Sequence, residues 1–91
     1  PDLNILKKSK LEITKILEKK GWNITKHENV SLYLFPVKDN INIDELVQKL
    51  LENDLAVING SAFGVKNGFR MTLWNDINIL NRMKKILNDV L

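Results

Sequence analysis

The sequence predicts a two-layer α+β domain: a mainly antiparallel sheet of about four short strands with three helices, in the order α-β-β-α-β-β-α. Three observations predict it. Three stretches of the 91-residue chain repeat their apolar residues at helical spacing, each with a single apolar stripe. Between them lie short runs that alternate at strand spacing or are continuously apolar. The loops joining those runs are short and hairpin-like, which favours antiparallel neighbours with helices packed on one face.

Residues 2–20 read as an amphipathic helix. Leu6, Ile13, Ile16 and Leu17 form its stripe, Ser9 and Lys10 are a weak spot between them, and Gly21 follows lysines as a stop. Residues 22–27 alternate briefly, with Trp22 and Ile24 against Asn23 and Thr25, and Glu28 and Asn29 follow as a turn. Residues 31–37 are nearly continuously apolar, which predicts a strand covered on both faces. Pro36 cannot donate to a ladder and marks an end or an edge, and Tyr33 reads as a core residue. Asn42 is a good N-cap, and Glu45 three residues on completes a capping-box-like pair. Ile43, Leu46, Val47, Leu50 and Leu51 then share one helical face, ending at Asn53 or Asp54. Residues 55–58 are a short buried strand. Asn75 or Asp76 caps the last helix, whose stripe is Ile79, Leu80, Met83, Ile86, Leu87, Val90 and Leu91, with Lys84 and Lys85 on the other side.

Composition narrows the function classes. Apolar content of 44% and charged content of 27% are ordinary for a soluble domain, and 91 residues suffice for one core. There is no cysteine and only one histidine, His27, so no thiolate or histidine metal site is expected. No apolar run approaches the roughly 18 residues that a membrane helix needs, and a cytoplasmic location follows by default. The net charge of +3 comes from scattered lysines, twelve against two arginines, which is a solvated face and not a nucleic-acid surface.

The stretch from Asn59 to Trp74 carries the chemistry. Gly60, Gly64 and Gly68 punctuate a loop, and such glycines mark backbone that turns left-handed or is approached closely. The following strand alternates, with Phe69, Met71 and Leu73 on one face and Arg70, Thr72 and Trp74 on the other. A guanidinium fixed there is placed to grip a carboxylate with two parallel hydrogen bonds, although spacing alone favours an ordinary hairpin with Arg70 on its wet face. The glycines do not have nucleotide-loop spacing, and no Gly-Lys-Ser/Thr follows. The serines Ser9, Ser31 and Ser61 have a single histidine to serve as base, so a nucleophilic triad is not expected.

Gly60-Ser61-Ala62-Phe63-Gly64, a short gap, and Gly68-Phe69-Arg70-Met71-Thr72-Leu73 together resemble the C-terminal signature of class I and II aminotransferases, which are pyridoxal-phosphate enzymes of fold type I. Asn59 stands where that family usually has proline, and Val30 and Ser31 replace small residues of a Gly-Ala-Phe-Tyr-like run. The likeness extends over nearly the whole chain. It implies that residues 1–91 are one domain, the C-terminal small domain, which closes over an amino-acid or 2-oxo-acid substrate. It implies that Arg70 binds the substrate's α-carboxylate and that Gly60, Ser61, Phe63 and Gly64 shape the site. The catalytic lysine, the acid on the pyridine nitrogen and the pyridoxal phosphate then belong to a separate large domain of a homodimeric parent. No catalytic residue is assigned to this chain, which is expected to be inert and cofactor-free alone. Two alternatives stay open: a decarboxylase or lyase of the same fold type, and a free-standing α+β binding module without cofactor.

Overall fold

The computed structural model describes residues 4–24 and 32–91. It is an α+β structure in the predicted order, with the second predicted strand divided in two. Helix α1 (Asn4–Lys19) leads to strand β1 (Asn23–Ile24), β2 (Tyr33–Leu34) and β3 (Pro36–Val37). Helix α2 (Ile43–Glu52) follows, then β4 (Ile58–Asn59), a 3-10 turn (Gly60–Phe63), β5 (Phe69–Thr72) and helix α3 (Ile77–Val90). Among the described residues the strands form two small antiparallel sheets, β1-β3 and β2-β5-β4. A bridge between Val37 and Gly68 connects them at the start of β5.

Strand β5 is central because its inward face is wholly apolar. Phe69, Met71 and Leu73 are at most 2% exposed. Ile13 and Leu17 of α1, Ile43 and Leu50 of α2, and Leu80, Met83 and Leu87 of α3 close over them as one core cluster. Trp22 meets Phe69 edge-on, with ring centroids 5.1 Å apart. Helix α1 ends at Gly21, which takes φ +90° so that the Trp22 N–H can return to the Leu17 carbonyl at 2.9 Å. The weak spot in the α1 stripe is itself buried: the Ser9 hydroxyl donates to the Trp74 carbonyl at 3.2 Å, which removes the cost of enclosing it.

Helix α2 starts as read, with the Glu45 N–H donating to Asn42 Oδ1 at 3.2 Å. Helix α3 starts at Asp76, whose carboxylate accepts from the Asn78 and Ile79 N–H groups at 2.8 and 3.1 Å.

Several expectations need correction. The apolar run at 31–37 is two strands in two sheets, because β2 pairs with β5 whereas β3, which contains the donorless Pro36, pairs with β1. Nor is the run covered throughout: Leu34, Phe35 and Pro36 are buried, but Leu32 and Tyr33 are exposed. Tyr33 is therefore not a core residue. Leu51 is exposed as well, since it lies about 80° round the helix from Ile43, at the edge of the stripe. The 55–58 strand alternates, with Leu55 and Val57 buried, but ladder pairing begins only at Ile58. The continuation of the 22–27 strand, the Glu28–Asn29 turn, His27 and Ser31 lie outside the described residues.

Lys84, off the apolar stripe as expected, makes an ion pair between helices. It reaches across from α3 to α1, where its Nζ lies 2.6 Å from Glu12 Oε1. That hydrogen bond holds the Glu12 carboxyl below its ordinary 4.5 against the opposing effect of burial, and the charges of Lys84, Lys8 and Lys15 add to it. A carboxyl held low stabilises the fold above its unfolded-state value and loses that contribution as pH falls through the lower folded value. Thermal melts should therefore show the largest advantage of the parent chain over Glu12→Gln at neutral pH. The advantage should shrink below about pH 4.5, the ordinary carboxyl value. A difference independent of pH would refute the pairing.

Candidate functional site

The open face of the three-stranded sheet follows from its register. Tyr33 pairs with Thr72 and Ile58 pairs with Arg70, so the side chains of Tyr33, Arg70, Thr72 and Ile58 share the face opposite the core. Trp74 continues the alternation just beyond β5 and is half exposed. The expected division of residues 69–74 into two faces holds.

The glycine loop folds back towards this face as a 3-10 turn. Asn59 Oδ1 accepts from the Ser61 N–H at 2.9 Å, and its Nδ2 donates to Asp44 Oδ1 at 2.8 Å. Asparagine at this position thus caps the turn and ties it to the start of α2, which proline could not do. Gly60 is clamped by backbone: its N–H donates to the Gly68 carbonyl at 2.8 Å, and its own carbonyl accepts from the Val65 N–H at 2.9 Å. Gly64 closes the turn with φ +76°. Ser61 is exposed and contributes its backbone N–H.

The result of this folding is the placement of Phe63. Its ring lies 4.2 Å from the Arg70 guanidinium carbon, and the Tyr33 ring lies 4.5 Å from the same carbon. Both distances are well inside the range of cation–π attraction. Phe63 is braced from behind by the buried Phe35, edge-on at 6.2 Å. Among the described residues no carboxylate lies within ion-pair distance of Arg70. The structure thus brings Arg70, Phe63 and the glycine turn together, as the sequence reading grouped them, and adds Tyr33. The signal for Tyr33 was there in the Tyr33–Leu34 step, where one side chain must face out if the other faces in, but a continuous apolar run does not say which.

Arg70, Thr72 and Trp74 also line a cavity of about 490 Å³. Its other walls are residues 54–58 and the α3 side chains Ile79, Arg82, Met83 and Ile86. The size suits a small ligand, and the lining combines apolar surface with a few polar groups. The chain's two arginines both border it. No lysine does so among the described residues, so the cavity offers no amine for a Schiff base. The described residues contain no group of three or more potential metal ligands. None of their helices is long and apolar enough to cross a membrane. With two guanidinium groups on its border the arrangement can recognise an anion, and Asp54 adds a carboxylate to the same lining.

Gly60 is the residue on which the turn depends. A Cβ built there would stand 2.8 Å from the Val65 carbonyl oxygen and 2.9 Å from that of Gly68, both backbone atoms in the clamp. Gly60→Ala should cost about 1–3 kcal/mol, read from urea denaturation midpoints. Ser61→Ala, with its side chain in solvent, should stay within about 0.5 kcal/mol. Equal midpoints for Gly60→Ala and the parent chain would show that the turn is not clamped.

A family model described as Aminotransferase class I and II matches residues 3–86 of the chain. No curated protein and no solved structure matches it.

Proposed function

Because the chain belongs to the aminotransferase class I and II family, we propose that it is the small domain of a pyridoxal-phosphate-dependent aminotransferase and that Arg70 binds the α-carboxylate of its substrate. The observation that supports this reading is the state of Arg70. Its charge sits on an open sheet face, held by two rings and, among the described residues, neutralised by no carboxylate. A guanidinium offers five N–H donors in a planar fork that matches a carboxylate bidentately. Aromatic faces attract the cation but take up few of those donors, so they stay available.

The substrate is an amino acid or its 2-oxo acid, which share the carboxylate that Arg70 would take. Gripping that carboxylate fixes one end of the substrate and so orients the other towards the reacting centre. The cofactor, its lysine and the acid that holds its pyridine nitrogen are supplied by a large domain, and none of this chain's twelve lysines is assigned a catalytic role. The open face suits such a cover: Ile58 and Trp74 are 43% and 52% exposed on the side that carries Arg70 and Tyr33. Closure of the small domain over bound substrate would bury these side chains and exclude water. The turn formed by Gly60, Ser61, Phe63 and Gly64 borders the entrance. The parent enzyme is proposed to be a homodimer.

In the intact enzyme, Arg70→Ala should lower kcat/KM for amino-acid substrate by about 2–4 kcal/mol of transition-state binding, roughly 30- to 800-fold. Arg70→Lys should restore little, because an ammonium cannot form the two parallel bonds. Unchanged turnover in Arg70→Ala would rule out the assignment. The 91-residue chain supplied with pyridoxal phosphate alone should turn over no amino acid; measurable transamination would contradict the division of roles between domains.

A further inference from the structure

We propose that Tyr33 and Phe63 are positioning residues for Arg70: their rings hold its guanidinium in the place where a carboxylate meets it. The inference rests on the carboxylate reading of Arg70 above and assigns to the aromatic pair a role that the glycine signature does not state.

An arginine side chain free in solvent samples many rotamers and loses that freedom when it binds an anion. A site that holds the side chain before the ligand arrives binds more tightly, because the ordering cost is not charged to binding. A carboxylate in the same chain would be the usual means of fixing an arginine, but it would occupy the donors that the substrate needs. Rings avoid that conflict: they attract the cation through their π-electrons and leave N–H donors unfilled.

The geometry meets these requirements. The guanidinium carbon lies over both rings, at 4.5 Å from Tyr33 and 4.2 Å from Phe63. Each ring is fixed by a separate part of the fold. Tyr33 is held by the pairing of β2 with β5, opposite Thr72. Phe63 is held by the 3-10 turn, with its Asn59 cap, and by the edge-on contact with buried Phe35. Both rings remain about 40% exposed, which is poor burial for an aromatic side chain whose only task is to fill a core. What both rings share is contact with the Arg70 cation. The glycine turn then has a specific task beyond bordering the entrance, which is to carry Phe63 onto Arg70.

The test begins with the full 91-residue chain. It has two arginines, so a proton–nitrogen spectrum contains two arginine Nε–Hε signals, from Arg70 and Arg82. Ring currents should displace the Arg70 signal. Phe63→Leu, which keeps apolar volume but removes the ring, should return it towards the Arg82 position, and Phe63→Trp should keep it displaced. Tyr33→Leu serves as the second variant if Phe63→Leu unfolds. In the intact enzyme, Phe63→Leu should raise KM for the amino acid about tenfold, the size of one cation–π contact, with kcat within about twofold. Phe63→Trp should restore KM. An Arg70 signal that does not respond to Phe63→Leu or to Tyr33→Leu would overturn the clamp. So would a lost displacement with unchanged KM, since the rings would then touch Arg70 without positioning it. Normal kinetics in Arg70→Ala would instead remove the carboxylate reading on which the inference rests, whatever the spectrum shows.

Discussion

The structure depends on the alternation of one strand. β5 is hydrogen-bonded on both sides, to β2 and β4, and its residues Phe69 and Met71, with Leu73 just beyond it, are enclosed by all three helices. A slip of one residue in that ladder would drive Arg70 and Thr72 into the core and expose Phe69 and Met71, at a cost no surface contact could offset. Burial on one face therefore fixes what the other face presents. The position of Arg70 is a consequence of where Phe69 and Met71 must go, and this coupling of core to site explains how so small a structure can hold a charged side chain in a defined place.

Two of the molecule's cations are held in contrasting ways. Lys84 is joined to Glu12 between α1 and α3, where the pair fastens two helices and depresses the carboxyl's proton affinity. Arg70 receives rings in place of a carboxylate. The first arrangement uses up a charge in holding the fold; the second keeps one available on an open face. The lysine is long, flexible and a point charge, suited to bridging a gap between helices. The arginine is planar and can be held by ring faces while presenting donors, suited to a ligand. That contrast, and not the net charge of the chain, bears on function.

Much of this could be read in the residues themselves. Residues 69–74 alternate without exception, so the core face and the Arg70 face were predictable, as were the Asn42 cap, the α3 stripe and the turn at Gly60–Gly64. What escaped reading depends on tertiary neighbours. A continuous apolar run at 31–37 does not reveal which residues face out, so Tyr33 read as core. The Lys84–Glu12 pair was not legible because a helical wheel does not show that α1 lies alongside α3. The cavity needs residues 54–58, β5 and α3 at once, three segments that no local pattern joins. The contact of Phe63 with Arg70 needed the turn's path, which the glycines announce without specifying.

The central claim is that Arg70 awaits a substrate carboxylate, and a crystal structure of the intact enzyme with a bound amino-acid analogue tests it most directly. The account predicts two N–H···O contacts of about 2.7–2.9 Å from the Arg70 guanidinium to the α-carboxylate, with Tyr33 and Phe63 still against it. An α-carboxylate held by other residues, with Arg70 remote from it, would contradict the account.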